Sequence, residues 1–108
     1  EFAAVVIEAV QAESGYIPGN KDFFQKLRKK CDDNGVLLII DEIQTGMGRT
    51  GTLFSYEDLG IVPDIICSAK ALGAGMPLGA FISRKKIMDV LSNNPVLGHI
   101  TTFGGHPV

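Results

Sequence analysis

The chain has 108 residues, 45% of them hydrophobic, with ten Lys and Arg against twelve Asp and Glu and a formal net charge of −2. This composition supports one small core and excludes both the basic field that attracts nucleic acid and a polybasic membrane patch. No apolar run approaches the roughly 20 residues of a membrane span, no secretory leader is recognisable, and two isolated cysteines, Cys31 and Cys67, suit reduced core thiols in a cytoplasmic protein better than a disulfide framework.

FAAVVIEAV, residues 2–10, is rich in Val, Ile and Ala and predicts a buried strand. AESGYIPGN follows as a loop broken by Gly15, Pro18, Gly19 and Asn20. Asn20 is placed to cap a helix over KDFFQKLRKKCDD, in which Phe23, Phe24, Leu27 and Cys31 fall at helical spacing and Asn34-Gly35 ends the run. VLLII, residues 36–40, predicts a second buried strand that runs directly into Asp41 and Glu42. QTGMGRTGT is a glycine-rich loop, FSYEDLG a short helix, and DIICSA (64–69) a third strand after Pro63. ALGAGMPLG is a tight loop, GAFIS a fourth strand, RKKIMDVLSNN a helix and HITTFGGHPV a final loop.

This order predicts an α/β fold with a parallel or mixed sheet. Strands that are continuously apolar, not alternating, imply that both sheet faces are covered. The sequence starts at Glu1, enters a strand almost at once and stops at Val108 just after a glycine-rich turn, so it reads as a piece of a longer chain.

The charge at the end of VLLII needs a purpose. Asp41 and Glu42 are compatible with a magnesium ion, a sugar hydroxyl or a protonated ring nitrogen. A nucleotide site would need a phosphate loop of the form G-x-x-x-x-G-K-S/T, and none exists in these residues. Gly46, Gly48 and Gly51 satisfy G-x-G-x-x-G, but Asp41–Thr45 separate them from the strand, and a ligand-covering loop is the simpler reading. No metal site is expected: His99 and His106 lie seven apart in a loop, and neither cysteine has a partner at ligand spacing. Ser68 lacks the G-x-S-x-G surround of a serine nucleophile. Lys70, in DIICSAKALGAGMPLG, ends an apolar strand ahead of a glycine-rich loop. A desolvated lysine favours the neutral amine that attacks carbonyls, and the bland alternative is a surface lysine. If two neighbouring strands end at Asp41 and Lys70, both side chains share the carboxyl edge of one sheet, where ligands of open α/β sheets bind. A carboxylate and an amine there suit an aldehyde cofactor with a basic ring nitrogen.

At this point the residues resemble a known family, the class III, ornithine-type, pyridoxal-phosphate-dependent aminotransferases. IEAVQAESG is similar to the family's E-P-x-Q-G-E-x-G segment, and IIDEIQTGMGRTG to D-E-I/V-Q-T-G-x-x-R-T-G. PDIICSAKALGAGMPLGA resembles the family's P-D strand, lysine and glycine-rich loop, and TTFGGHP resembles S/T-T-F/Y-G-G-N-P. The chain departs from the pattern at Ala9, Ala12, Ile100 and His106, where Pro, Gly, Gly and Asn are usual, which bears on subfamily and substrate.

The resemblance implies that residues 1–108 form part of the cofactor-binding large domain, a three-layer α/β/α sandwich with a mostly parallel sheet, of a fold-type-I enzyme that binds pyridoxal 5′-phosphate. It implies a Schiff-base and proton-shuttling role for Lys70 and pairing of Asp41 with the pyridinium nitrogen. Ile43 would pack on the ring, Gln44 would reach the ring hydroxyl, and Thr102 would bind the phosphate across a dimer interface. Thr101 would touch substrate, and Glu13 would pair with a carboxylate-binding arginine. Glu8 would support the cofactor-side network, while Glu42 and Arg49 would hold structure by pairing and loop anchoring. The implied reaction moves an amino group from an ω-amino donor to 2-oxoglutarate. Ornithine or acetylornithine leads as donor; 4-aminobutyrate or another ω-amino acid follows, and an inactive fragment or binding domain is the reading from a different class.

Overall fold

The computed structural model describes residues 2–92 together with Gly104 and Gly105. Strand β1 spans Ala4–Glu8, after which the chain leaves the sheet at Ala9. Two-residue strands β2 (Val10–Gln11) and β3 (Ile17–Pro18) then pair antiparallel across a turn. The single strand expected over 2–10 is therefore two short ones. Pairing of β1 ends at Glu8, and the Ala9 carbonyl is taken by the Gly19 N–H at 2.9 Å, which ties down the far end of the hairpin instead.

Helix α1 (Lys21–Asn34) begins and ends where its caps dictate. The Asn20 side-chain oxygen accepts from the backbone N–H groups of Asp22 and Phe23, at 2.8 and 3.4 Å. Gly35 closes the helix in the left-handed region at φ 64°, its N–H donating to the Asp32 carbonyl. Phe24 and Cys31 are buried, whereas Phe23 stays exposed. A Cβ on Gly19 would lie 2.2 Å from the Phe24 ring, so only glycine lets the hairpin pass this close to the core.

Next come β4 (Leu37–Asp41), the single turn α2 (Tyr56–Leu59) and β5 (Ile65–Ser68). A 3₁₀ turn over Lys70–Gly73 leads to β6 (Ala80–Ser83) and helix α3 (Lys85–Ser92). The sheet order is β1-β4-β5-β6, with β1, β4 and β5 parallel and β6 antiparallel to β5. The period of two then sorts the strands into faces. Leu38 and Ile40 are fully buried on the face that carries Phe24 and Cys31 of α1, with Leu59 and Ile61 completing the core. Burying side chains of this size contributes about 1.5–3 kcal/mol each. Leu37, Ile65 and Phe81 turn to the other face, where Ile87, Val90 and Leu91 of α3 join them around a cavity of about 750 Å³. Helices thus lie on opposite sides of a mostly parallel sheet, as the resemblance implied. Val6 and Ile82 remain 65% and 46% exposed, so the described residues do not close either face completely.

One buried ion cluster fastens these layers. The Asp64 carboxylate accepts from the Leu38 N–H and from Arg28, both at 2.8 Å, and pairs with Arg84. Burial opposes its ionisation, but the Leu38 N–H and the Arg28 hydrogen bond, with the charges of Arg28 and Arg84, outweigh burial and hold Asp64 below the usual carboxylate range.

Candidate active site

Parallel pairing brings the ends of β1, β4 and β5 to one edge. Asp41 lies opposite Glu8 on one side and Cys67 on the other. The Ile43 N–H donates to Asp41 Oδ1 at 2.9 Å, an Asx turn that bends the chain sharply off the strand. Asp41 itself is half-buried, and among the described residues its second oxygen has no protein partner. Burial pushes the Cys67 thiol above its ordinary range, and the neighbouring Asp41 charge adds to the effect.

Glu42 points the opposite way and is fully buried. Its carboxylate accepts from the Thr45 hydroxyl, the Ser55 hydroxyl at 2.7 Å and the Tyr56 N–H at 3.0 Å. Its carbonyl takes the Gly46 N–H at 2.8 Å. One carboxylate therefore clamps both ends of the glycine-rich loop that separates β4 from α2. Glu42 anchors structure, as expected, but Arg49 is not among its partners and is exposed. The Glu42 carboxylate accepts three hydrogen bonds from its own loop and so serves to hold that loop. Among the described residues no group of three or more His, Cys, Asp or Glu is placed to hold a metal ion.

Lys70 follows β5 and opens the 3₁₀ turn with φ +44°, a left-handed conformation unusual for a side-chain-bearing residue. Its amine reaches back across the strand ends, and Nζ donates to Gln44 Oε1 at 2.5 Å. Lys70 is exposed among the described residues. Lys70 and Gln44 are thus in direct contact, while Asp41 and the half-buried Ile43 belong to the same turn as Gln44.

Glu8 accepts from the Ala12 N–H at 3.1 Å and so anchors the turn that carries Glu13. Glu13 is exposed, and among the described residues it does not bond to Asp41, Gln44 or Lys70. Thr101 and Thr102, with His99 and His106, lie outside the described residues. Sequence reasoning assigned no role to Thr45, Ser55 or Asp64. A small polar residue flanking a glycine-rich loop and an aspartate between proline and a strand are the only local signals, and neither reveals a partner distant in sequence.

Comparison with known proteins follows the same residues. The class-III aminotransferase family matches residues 1–108. An acetylornithine aminotransferase of Nostoc sp. is 53% identical over 105 residues, covering 97% of this chain and 24% of the relative. That of Gloeobacter violaceus is 50% identical over 106 residues, covering 98% and 26%. Among solved structures, N-acetylornithine aminotransferase from Stenotrophomonas maltophilia shares 46% identity at a TM-score of 0.77, over 81% of this chain and 24% of that one. The ornithine aminotransferase of Toxoplasma gondii, whose active site holds pyridoxal phosphate at partial occupancy, shares 37% identity at a TM-score of 0.84, over 94% and 23%. The chain spans about a quarter of the length of the relatives it matches.

Proposed function

The chain belongs to the class-III aminotransferase family, and on that premise we propose that it is part of the cofactor-binding large domain of an enzyme that moves the amino group of acetylornithine or ornithine to 2-oxoglutarate. The observation that carries this reading is the meeting of three groups at one sheet edge. These are the Lys70 amine, the Gln44 side-chain carbonyl 2.5 Å from it, and the Asp41 carboxylate fixed by the Ile43 N–H.

The donor set fits the family's cofactor, pyridoxal 5′-phosphate. When bound, the cofactor supplies an aldehyde carbon and a ring that accepts electrons once its nitrogen is protonated. Asp41, acceptor-only when ionised and left with a free oxygen, is the group that keeps a proton on that nitrogen. Lys70 would hold the cofactor through its amine and, when that amine is free, would move a proton at Nζ. Gln44 offers hydrogen bonds to the ring hydroxyl, and Ile43 offers apolar contact to a ring face. Thr102 is assigned to the phosphate and Thr101 to substrate. Glu13 is assigned to an arginine that binds the substrate carboxylate, and Glu8 holds its turn in place.

Donor choice rests on the two curated relatives, both acetylornithine aminotransferases. A homodimer with shared sites follows from assigning Thr102 to a partner's phosphate. Two free cysteines suit the cytoplasm; among the described residues no helix is long and apolar enough to cross a membrane.

The test is a donor panel on the full-length protein loaded with pyridoxal phosphate, with 2-oxoglutarate as acceptor and glutamate formation as readout. Acetylornithine or ornithine is expected to give kcat/KM at least tenfold above 4-aminobutyrate, on the order of the 1.4 kcal/mol that a few specific contacts supply. A preference for 4-aminobutyrate, or glutamate formation from none of the three, would overturn the assignment.

A further inference from the structure

The contact between Lys70 Nζ and Gln44 Oε1 joins the ends of two neighbouring strands, 26 residues apart in sequence. We infer that Gln44 is a positioning residue for the uncombined lysine, its side-chain carbonyl holding the Lys70 amine at the place where an incoming aldehyde arrives. The inference rests on the functional reading above and adds to Gln44 a task separate from contact with the ring hydroxyl.

Three features of the molecule support it. First, Lys70 is exposed, and a lysine side chain left free samples many rotamers, so an unheld amine would spend little time at the site. A bond at 2.5 Å to Gln44 Oε1 removes that freedom. Secondly, both ends of the contact are built rigidly. The Lys70 backbone is held left-handed at φ +44° by the 3₁₀ turn that follows, with the Leu72 N–H on the Ala69 carbonyl at 3.0 Å. Gln44 lies between the Asx turn at Asp41 and the Glu42 clamp on Thr45, Ser55 and Tyr56. Thirdly, a Gln side-chain carbonyl can only accept, so a neutral Lys70 amine meets it through an N–H and keeps its lone pair free for the aldehyde. Holding a nucleophile near its attack position raises the rate of the bimolecular step that follows. In that step the amine adds to the aldehyde carbon and one water leaves, and no other reactant is needed.

The test uses the full-length protein stripped of cofactor and mixed with two aldehydes, pyridoxal phosphate and its analogue with hydrogen in place of the ring hydroxyl. The readout is the rate of the absorbance change on capture, with the modified lysine identified by borohydride fixation and peptide mapping. Gln44→Met removes the acceptor at nearly constant volume. It is expected to slow capture of the deoxy analogue about fivefold, the order of a single orienting hydrogen bond. Gln44→Glu keeps an acceptor but its charge favours the ammonium, so it is expected to restore the analogue's rate to within about twofold of the original at alkaline pH, where the amine is neutral. A melting temperature within a few degrees of the original shows that the Met variant is folded; the Glu variant's rescue serves as the readout where it is not. If Gln44→Met slows pyridoxal phosphate but leaves the analogue's rate unchanged, Gln44 acts on the hydroxyl alone and the inference is overturned. Failure of the unmutated protein to capture either aldehyde on Lys70 overturns the cofactor reading itself, and the inference with it.

Discussion

Removing the Glu42 carboxylate tests how the site is held. In Glu42→Ala the acceptor for the Thr45 hydroxyl, the Ser55 hydroxyl and the Tyr56 N–H disappears. The two hydroxyls are already 3.4 Å apart and can turn toward each other, so one of them recovers a partner. The Tyr56 N–H and one hydroxyl are left unsatisfied, at about 1–3 kcal/mol each, which gives a loss of about 4 kcal/mol. Glu42→Gln behaves differently. Its amide oxygen can serve Ser55 and Tyr56, and the Thr45 hydroxyl can rotate to accept from the new NH₂, so the expected loss is about 1 kcal/mol. Urea denaturation of the full-length protein, followed by cofactor absorbance, reads both variants at one site. The clamp also fixes the turn that carries Gln44, so Glu42→Ala should release cofactor at lower urea than Glu42→Gln. Equal losses in the two variants, or a loss below about 1 kcal/mol in Glu42→Ala, would refute the idea that this carboxylate organises the loop.

Asp64 sets an acid limit. Its folded pKa is depressed, so its stabilisation is complete above the unfolded value of about 3.9 and is lost as pH falls through the lower folded value. Asp64→Ala should cost about 3 kcal/mol at neutral pH, measured by denaturant midpoint, because the Arg28 guanidinium and the Leu38 N–H lose a buried partner; that cost should shrink below pH 4, and a constant difference would contradict the assignment. Asp41→Asn should keep the cofactor but lose about ten- to a hundredfold in turnover, since a charge-assisted bond of about 1.5–3 kcal/mol is needed most as negative charge develops on the ring; near-normal turnover would make Asp41 structural. Mixing inactive Thr102→Ala and Lys70→Ala chains should restore one intact site per heterodimer, and heterodimers that stay inactive would place Thr102 on its own subunit's cofactor.

Where periodicity and capping rules applied, the sequence was enough. Asn20 and Gly35 bound α1 as expected, and VLLII delivers Asp41 to the edge of a parallel sheet. The antiparallel direction of β6 was open, because an apolar strand after a tight loop can run either way. The β2–β3 hairpin was hidden, since Val10–Gln11 reads as a continuation of β1 until one knows that its pairing with β4 stops at Glu8. Within the candidate site, the motifs singled out Asp41, Gln44 and Lys70, and the fold brings the Lys70 amine to the Gln44 side chain. The Lys70–Gln44 contact bridges residues 26 apart and depends on a left-handed lysine, which no local pattern announces. The partnership of Glu42 with Ser55 and Tyr56 is hidden for the same reason, as it depends on how a glycine-rich loop folds back on itself.

The central claim is that Lys70 is the amine that meets the cofactor. Full-length protein loaded with pyridoxal phosphate should give the absorbance of a lysine adduct, and borohydride followed by peptide mapping should place the reduced label on Lys70. Label on Lys85 or Lys86 instead, or loss of the absorbance on desalting with no label fixed, would contradict it.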